Sequence, residues 1–206
     1  MKILKLESIN EIIKVLEAGQ VLVLPSETSY GLSCEAVNQI AVEKIFKIKG
    51  RASGKAVLVL VDSIKMAKKY LKWGKVIDEI AKKYWKENSI MPLTIVGEYK
   101  KKFFVKRLAA SVISKEKTLA VRVTHHPFLK ETCQHLGRPI VSTSANLAGA
   151  NPLYNPQEII KQFSGKLVEP EILVDAGVLP FAKPSTIVSV VGGKLTTLRQ
   201  GELRVV

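Results

Sequence analysis

The chain has 206 residues, 47% of them hydrophobic and 24% charged, which suits one sizeable α/β domain and leaves too little length for two comfortable ones. Lys plus Arg is 32 against 18 for Asp plus Glu, a formal +14 that points to phosphate-bearing partners or to a solvated, lysine-rich surface. No charge-free apolar stretch reaches 18 residues, MKILKLESIN turns polar after six residues, and Cys34 and Cys133 form no CxxC pair; neither a transmembrane helix nor a secretory signal is expected, and a reduced cytoplasmic compartment fits.

In chain order, 8–17 has helical spacing, with Ser8 and Glu11 in capping-box register and Ile9, Ile12, Ile13 and Leu16 on one face. Residues 21–24 form an apolar run ending at Pro25 and predict a buried strand. A helix over 40–48 closes at Gly50, a strand follows at 56–61, and Asp62 or Ser63 caps the next helix. Residues 76–86 are amphipathic. Strands are expected at 93–96, 119–123, 140–142, 172–175, 186–191 and 195–198, with short helices over 128–136 and 157–163 behind Pro127 and Pro156. Strands alternating with helices, and a closing hairpin at Gly192-Gly193, predict a single α/β domain over 1–206 with an open, twisted, mixed parallel and antiparallel sheet flanked by helices. Between Lys65 and Arg107 stand 13 basic and 4 acidic residues, +9 of the formal +14. A field so concentrated draws in nucleotide or RNA, unless it is only a solvated helix face.

Three loops carry candidate chemistry. Pro25 to Leu32, PSETSYGL, follows a buried strand, and its hydroxyls either hold a small zwitterion or bond their own backbone in a polar turn. Lys49-Gly50-Arg51 sets two cations beside a glycine at a helix end, suited to polyphosphate or to the helix dipole. Ser142 to Asn146, STSAN, puts three hydroxyls and an amide after an apolar strand, a cradle for phosphate or ribose or a plain hydroxyl turn. Arg122 lies inside a strand and needs an anionic partner, a carboxylate or a ligand.

The negatives narrow the chemistry. There is no GxxxxGK[ST], GxGxxG or GxSxG, neither cysteine has a nucleophile's setting, and His125, His126 and His135 lack partners at metal-ligand spacing. The assembled site is cationic and hydroxyl-rich, without a covalent nucleophile, and works by binding and orienting charged reactants.

Together these motifs resemble the threonylcarbamoyl-AMP synthase (YrdC) family. The family's pattern appears here in order, over about 20–201, as PSETSYGL at 25–32, KGR at 49–51, PLT at 92–94, AVRVTHHP at 120–127, STSAN at 142–146, STI at 185–187 and RQG at 199–201. The chain looks like the short form of that family, stopping just past the last motif. Ser26 replaces the usual Thr, Lys55-Ala56 the frequent Asn-Pro, Met91 the Gly before PLT, and Leu60 falls near a His of some longer relatives.

The resemblance implies an open sheet with a basic concave face. It implies formation of threonylcarbamoyl-AMP and pyrophosphate from ATP, L-threonine and bicarbonate, with a substrate carbamate as nucleophile. By that carry-over Lys49 and Arg51 are catalytic and hold the phosphates, with Mg²⁺ arriving on ATP and no tightly bound organic cofactor. Ser142, Ser144, Asn146 and Arg199 complete the ATP site; Ser26, Thr28, Tyr30, Arg122 and Ser185 hold threonine. The product serves modification of adenosine beside the anticodon in tRNAs reading codons that begin with A, with folded tRNA and threonylcarbamoyl-transferase pathway proteins as partners. Two other readings stand beside it: a non-catalytic RNA-binding module, which leaves STSAN and KGR without a purpose, and the carbamoyl-adenylate domain of hydrogenase maturation, normally part of a much longer chain.

Overall fold

The computed structural model describes residues 1–50, 57–86, 89, 91–101 and 105–206. Its chain order begins with β1 (Lys2–Lys5), a 3-10 turn, α1 (Ile9–Glu17), β2 (Leu22–Leu24), β3 (Gly31–Glu35), α2 (Gln39–Lys49), β4 (Leu58–Val61), α3 (Ile64–Tyr70) and α4 (Lys75–Tyr84). It continues with β5 (Leu93–Glu98), β6 (Thr118–Val123), α5 (Pro127–Leu136), β7 (Ile140–Ser144), α6 (Pro156–Phe163), β8 (Ile172–Asp175), β9 (Thr186–Val191) and β10 (Lys194–Arg199). All the strands join one sheet in the order β1-β8-β2-β3-β7-β4-β6-β5-β9-β10. Pairs β1/β8, β2/β8, β4/β6 and β5/β9 are parallel; the rest are antiparallel, so the sheet is mixed as expected.

Strand alternation divides the burial. Val59, Val61, Ile95, Val121, Val123 and Val188 point to one face and pack under apolar residues of α2, α3, α4 and α6. The other face is covered over part of its width: Leu22, Leu24, Leu60, Ile140, Ile172 and Val174 meet α1 and α5. Beyond those two helices, over β4, β6, β5 and β9, no described helix covers this second face, and the cavity described below lies there.

Helix ends follow their sequence signals, with one exception. Asn38 Oδ1 accepts from Ala41 N–H at the start of α2, Ser63 Oγ accepts from Met66 N–H at α3, and Gly50 closes α2 at φ 60°. Ser8 makes no capping bond, because the 3-10 turn Leu6–Ser8 already brings the chain into near-helical geometry; Glu11 pairs with Lys2 at 2.5 Å instead. Ala56, the expected start of β4, lies outside the described residues. Two strands carried no expectation, the edge strand β1 and the central β3. The strand expected at 140–142 runs on to Ser144, so the hydroxyls of STSAN begin inside the sheet.

Candidate active site

The part of the sheet beyond α1 and α5 lines a cavity of about 530 Å³. Its floor is Leu58 of β4, Ala120 and Arg122 of β6, Thr94 and Val96 of β5 and Ile187 of β9. Loops with Ser26, Thr28, Ser29, Tyr154 and Pro184 wall it, with Ser142, Thr143 and Ser144 of β7 on one side and Ser185, Leu198 and Arg199 on another. Among the described lining residues are two guanidiniums and no carboxylate, lysine or cysteine. Such a wall suits anionic ligands presented to many hydroxyls.

Arg122 is 3% exposed, and its described ion-pair partner is Glu27, whose Oε1 lies 3.5 Å from Nε. The structural carboxylate that a buried arginine calls for is therefore present, while Arg122 still reaches the cavity wall. Burial lowers the Arg199 pKa, and the nearby charge of Arg122 lowers it further; the two cations act on one space.

In the PSETSYGL loop, Ser26 Oγ donates to Ser29 O at 2.6 Å and accepts from the N–H groups of Thr28 and Ser29, both at 3.3 Å. That is a hydroxyl turn, and it turns the Thr28 hydroxyl, 3.1 Å from Ser26 Oγ, toward the same wall. Tyr30 is fully buried; its hydroxyl donates to Gly177 O at 2.8 Å and accepts from Ala176 N–H at 2.9 Å. Its hydroxyl thereby ties this loop to the end of β8. Gly31 follows because strand β7 passes so close that a Cβ there would stand 2.9 Å from Ser142 Oγ.

The STSAN segment is held from behind. Lys49, 5% exposed at the end of α2, donates to Ser144 O at 2.5 Å, Asn146 O at 2.8 Å and Asn146 Oδ1 at 3.1 Å. Its own carbonyl accepts from Ala148 N–H at 2.9 Å. Asn146 also accepts from Ser144 Oγ and donates to Ala150 O. Ser142 and Ser144 line the cavity; Lys49 and Asn146 are not among its described lining residues and sit behind the loop. Arg51 lies outside the described residues.

The C-terminal motifs lock into each other. Arg199 Nε and Nη2 donate to Ser185 O at 3.1 and 2.8 Å, and Nη2 also reaches Ser185 Oγ at 3.1 Å. Thr186 Oγ1 accepts from Gly201 N–H at 3.0 Å and donates to Leu203 O at 2.6 Å. Gly201 is required by contact, since a Cβ there would lie 2.3 Å from Pro184 O. Ser185 Oγ stands 2.9 Å from Thr94 Oγ1, which brings the PLT motif to the same wall.

Of the expected residues, Ser26, Thr28, Tyr30, Arg122, Ser142, Ser144, Ser185 and Arg199 come together around one cavity. Glu27 and Thr94 were assigned no role from the sequence, although each stands inside a motif quoted above. The charge of the 65–107 stretch is placed differently from the cavity: the lysines of α3 and α4 ride on helices packed against the opposite sheet face, and Lys68, Lys72 and Lys82 pair with Asp78 or Glu98. The concave face owes its described positive charge to Arg122 and Arg199. Cys34 and Cys133 are fully buried, and burial pushes both thiols far up, which suits them to packing rather than attack. Among the described residues, no three His, Cys, Asp or Glu gather as a metal site, and no helix is long and apolar enough to cross a membrane.

A family model described as Sua5, YciO and YrdC, telomere recombination, matches residues 14–201. A threonylcarbamoyl-AMP synthase from Pseudoalteromonas translucida is 33% identical over 195 residues, which is 89% of this chain and 93% of that one. E. coli YciO has the same fold, with a TM-score of 0.81 at 22% identity over 96% of this chain and 91% of that one. P. abyssi Sua5 complexed with L-threonine superposes with a TM-score of 0.80 at 24% identity over 97% of this chain; the match spans 56% of that longer chain. By motif order, fold and the extent of these matches, the chain belongs to the Sua5, YciO and YrdC family.

Proposed function

We propose that this protein is an L-threonylcarbamoyladenylate synthase, joining ATP, L-threonine and bicarbonate into threonylcarbamoyl-AMP with release of pyrophosphate. The observation that carries the reading is the wall of one cavity: two guanidiniums and a ring of hydroxyls, with no carboxylate, lysine or cysteine among the described lining residues. The relative named threonylcarbamoyl-AMP synthase and the Sua5 complexed with L-threonine support reading that wall as a site for threonine and an adenylate.

In this account the amine of threonine and bicarbonate give a carbamate, whose oxygen attacks the α-phosphorus of ATP and expels pyrophosphate. The nucleophile belongs to the substrate, so the protein's task is to position anions and offset their repulsion. Arg122 takes the threonine carboxylate, with Thr28 and the Ser26 turn beside it. Arg199, Ser142 and Ser144 take the adenylate, and Ser185, held by Arg199, joins the two halves. Lys49 and Asn146 shape the hydroxyl segment from behind; for Lys49 to take phosphate directly, it must exchange its bonds to Ser144 and Asn146. Arg51 completes the phosphate group of this proposal. In this proposal Mg²⁺ enters on the ATP phosphates as part of the substrate, and the phosphates rather than the described wall residues hold it. The product passes to adenosine beside the anticodon of tRNAs reading codons that begin with A, through separate pathway proteins in the cytoplasm.

Incubation with ATP, Mg²⁺, bicarbonate and isotopically labelled L-threonine tests the reading. Mass spectrometry is expected to show the label in a threonylcarbamoyl-adenylate. Unlabelled AMP or ADP as the only nucleotide product would contradict it.

A further inference from the structure

The proposal about Glu27 rests on the threonine-binding reading of Arg122. Arg122 is a buried cation sharing its cavity with a second, Arg199. Without an anion such a guanidinium is costly to keep dry. Among the described residues one carboxylate pairs with it, that of Glu27, across 3.5 Å. Arg122 Nε and Glu27 Oε1 are both sealed from solvent and lack any hydrogen bond, so each depends on the other for compensation. The second oxygen of Glu27 is anchored: Thr124 Oγ1 donates to Oε2 at 3.3 Å and accepts from His126 N–H at 3.3 Å. Thr124 is fully buried and fixed to β4 by its own N–H, 3.0 Å from Val61 O. The carboxylate is thus held by the residue just past the end of the strand that carries Arg122, two residues further on.

Glu27 is not among the described residues lining the cavity, whereas Arg122 is. We propose that Glu27 is the positioning residue of the carboxylate site: it holds the Nε side of Arg122, so that the rest of the guanidinium faces the cavity in one orientation and receives the amino-acid carboxylate. The Glu in PSETSYGL and the Thr124 to His126 segment of AVRVTHHP then have a shared purpose, acting on the substrate through Arg122.

The test is calorimetric binding of L-threonine, and separately of ATP, to the wild type, Glu27→Gln, Arg122→Lys and the double variant. Glu27→Gln is expected to weaken threonine binding about tenfold, the scale of one charge-assisted contact, and to leave ATP binding unchanged. Adding Glu27→Gln to Arg122→Lys is expected to change threonine binding no further, because the residue acts through Arg122. Unchanged threonine affinity in Glu27→Gln, or losses that multiply in the double variant, would overturn the proposal. Should Glu27→Gln fail to fold, Thr124→Val removes the anchor of Oε2, and wild-type affinity in that variant overturns it equally. The NMR resonance of Arg122 Nε–H gives a readout without substrate: it is expected to move in Glu27→Gln, and an unmoved resonance overturns the pairing. A wild type that binds no threonine while showing that resonance shift contradicts the function reading and leaves the pairing standing.

Discussion

Lys49 gives N–H bonds to two carbonyls and an amide oxygen from a nearly sealed position, so its ammonium is a structural group of the hydroxyl loop. Lys49→Met is expected to destabilise the fold by about 2 kcal/mol and lower Tm by about 4–8 °C, read by thermal melting. An unchanged Tm would mean that the ammonium is reserved for ligand. Tyr30 makes a parallel case: its hydroxyl serves Ala176 and Gly177, so Tyr30→Phe should cost about 1–2 kcal/mol of stability in a denaturant melt. His126 brings a pH dependence. Burial lowers its pKa below the ordinary 6.5, against the opposing pull of Glu27. The unfolded chain therefore binds a proton that the folded chain resists, and the stability present above pH 6.5 is lost as the pH falls through the depressed folded-state value. In the variant His126→Asn, Tm should fall less steeply with pH over that window than in the wild type.

At the scale of elements, the sheet brings distant motifs to one wall. Gly201 lets β10 approach the segment before β9, with Pro184 O only 2.3 Å from where a Cβ would stand. Gly201→Ala must push two backbones apart, at about 1–3 kcal/mol, and loosen the grip of Arg199 on Ser185. Weaker ATP binding by calorimetry is the expected result; wild-type affinity would show that the clamp is dispensable. Much of this arrangement was legible beforehand. Apolar runs such as 56–61 and 172–175 announced strands, and Pro127, Pro156 and Gly50 marked helix ends through their backbone restrictions. β3 was not, because Gly31, Ser33 and Glu35 are poor strand formers and are held there by β2 and β7 on either side. β1 offers one buried residue, Leu4, too little pattern to read. For the site, residue types in the motifs pointed to charged ligands. The division of labour between Lys49 behind the loop and Arg122 on the wall needs the three-dimensional arrangement, as does the pairing of Glu27 with an arginine 95 residues away.

At the scale of the whole molecule, the described cavity cations, Arg122 and Arg199, and the lysine-rich helices α3 and α4 lie on opposite faces of the sheet. Any RNA binding by the lysine-rich stretch should then be separable from the reaction. Replacing Lys69, Lys86, Lys100 and Lys101 by Gln is expected to flatten the salt dependence of RNA affinity by about 0.9 per lost duplex phosphate contact, with adenylate formation unchanged. An unaltered slope would make this stretch a solvated surface. Pyrophosphate release from ATP, Mg²⁺ and bicarbonate, measured with and without L-threonine, decides whether this cavity makes threonylcarbamoyl-AMP. Release is expected to require threonine and to be clearly poorer with serine. Folded, ATP-binding protein that releases no pyrophosphate, or releases it equally without threonine, would contradict that function.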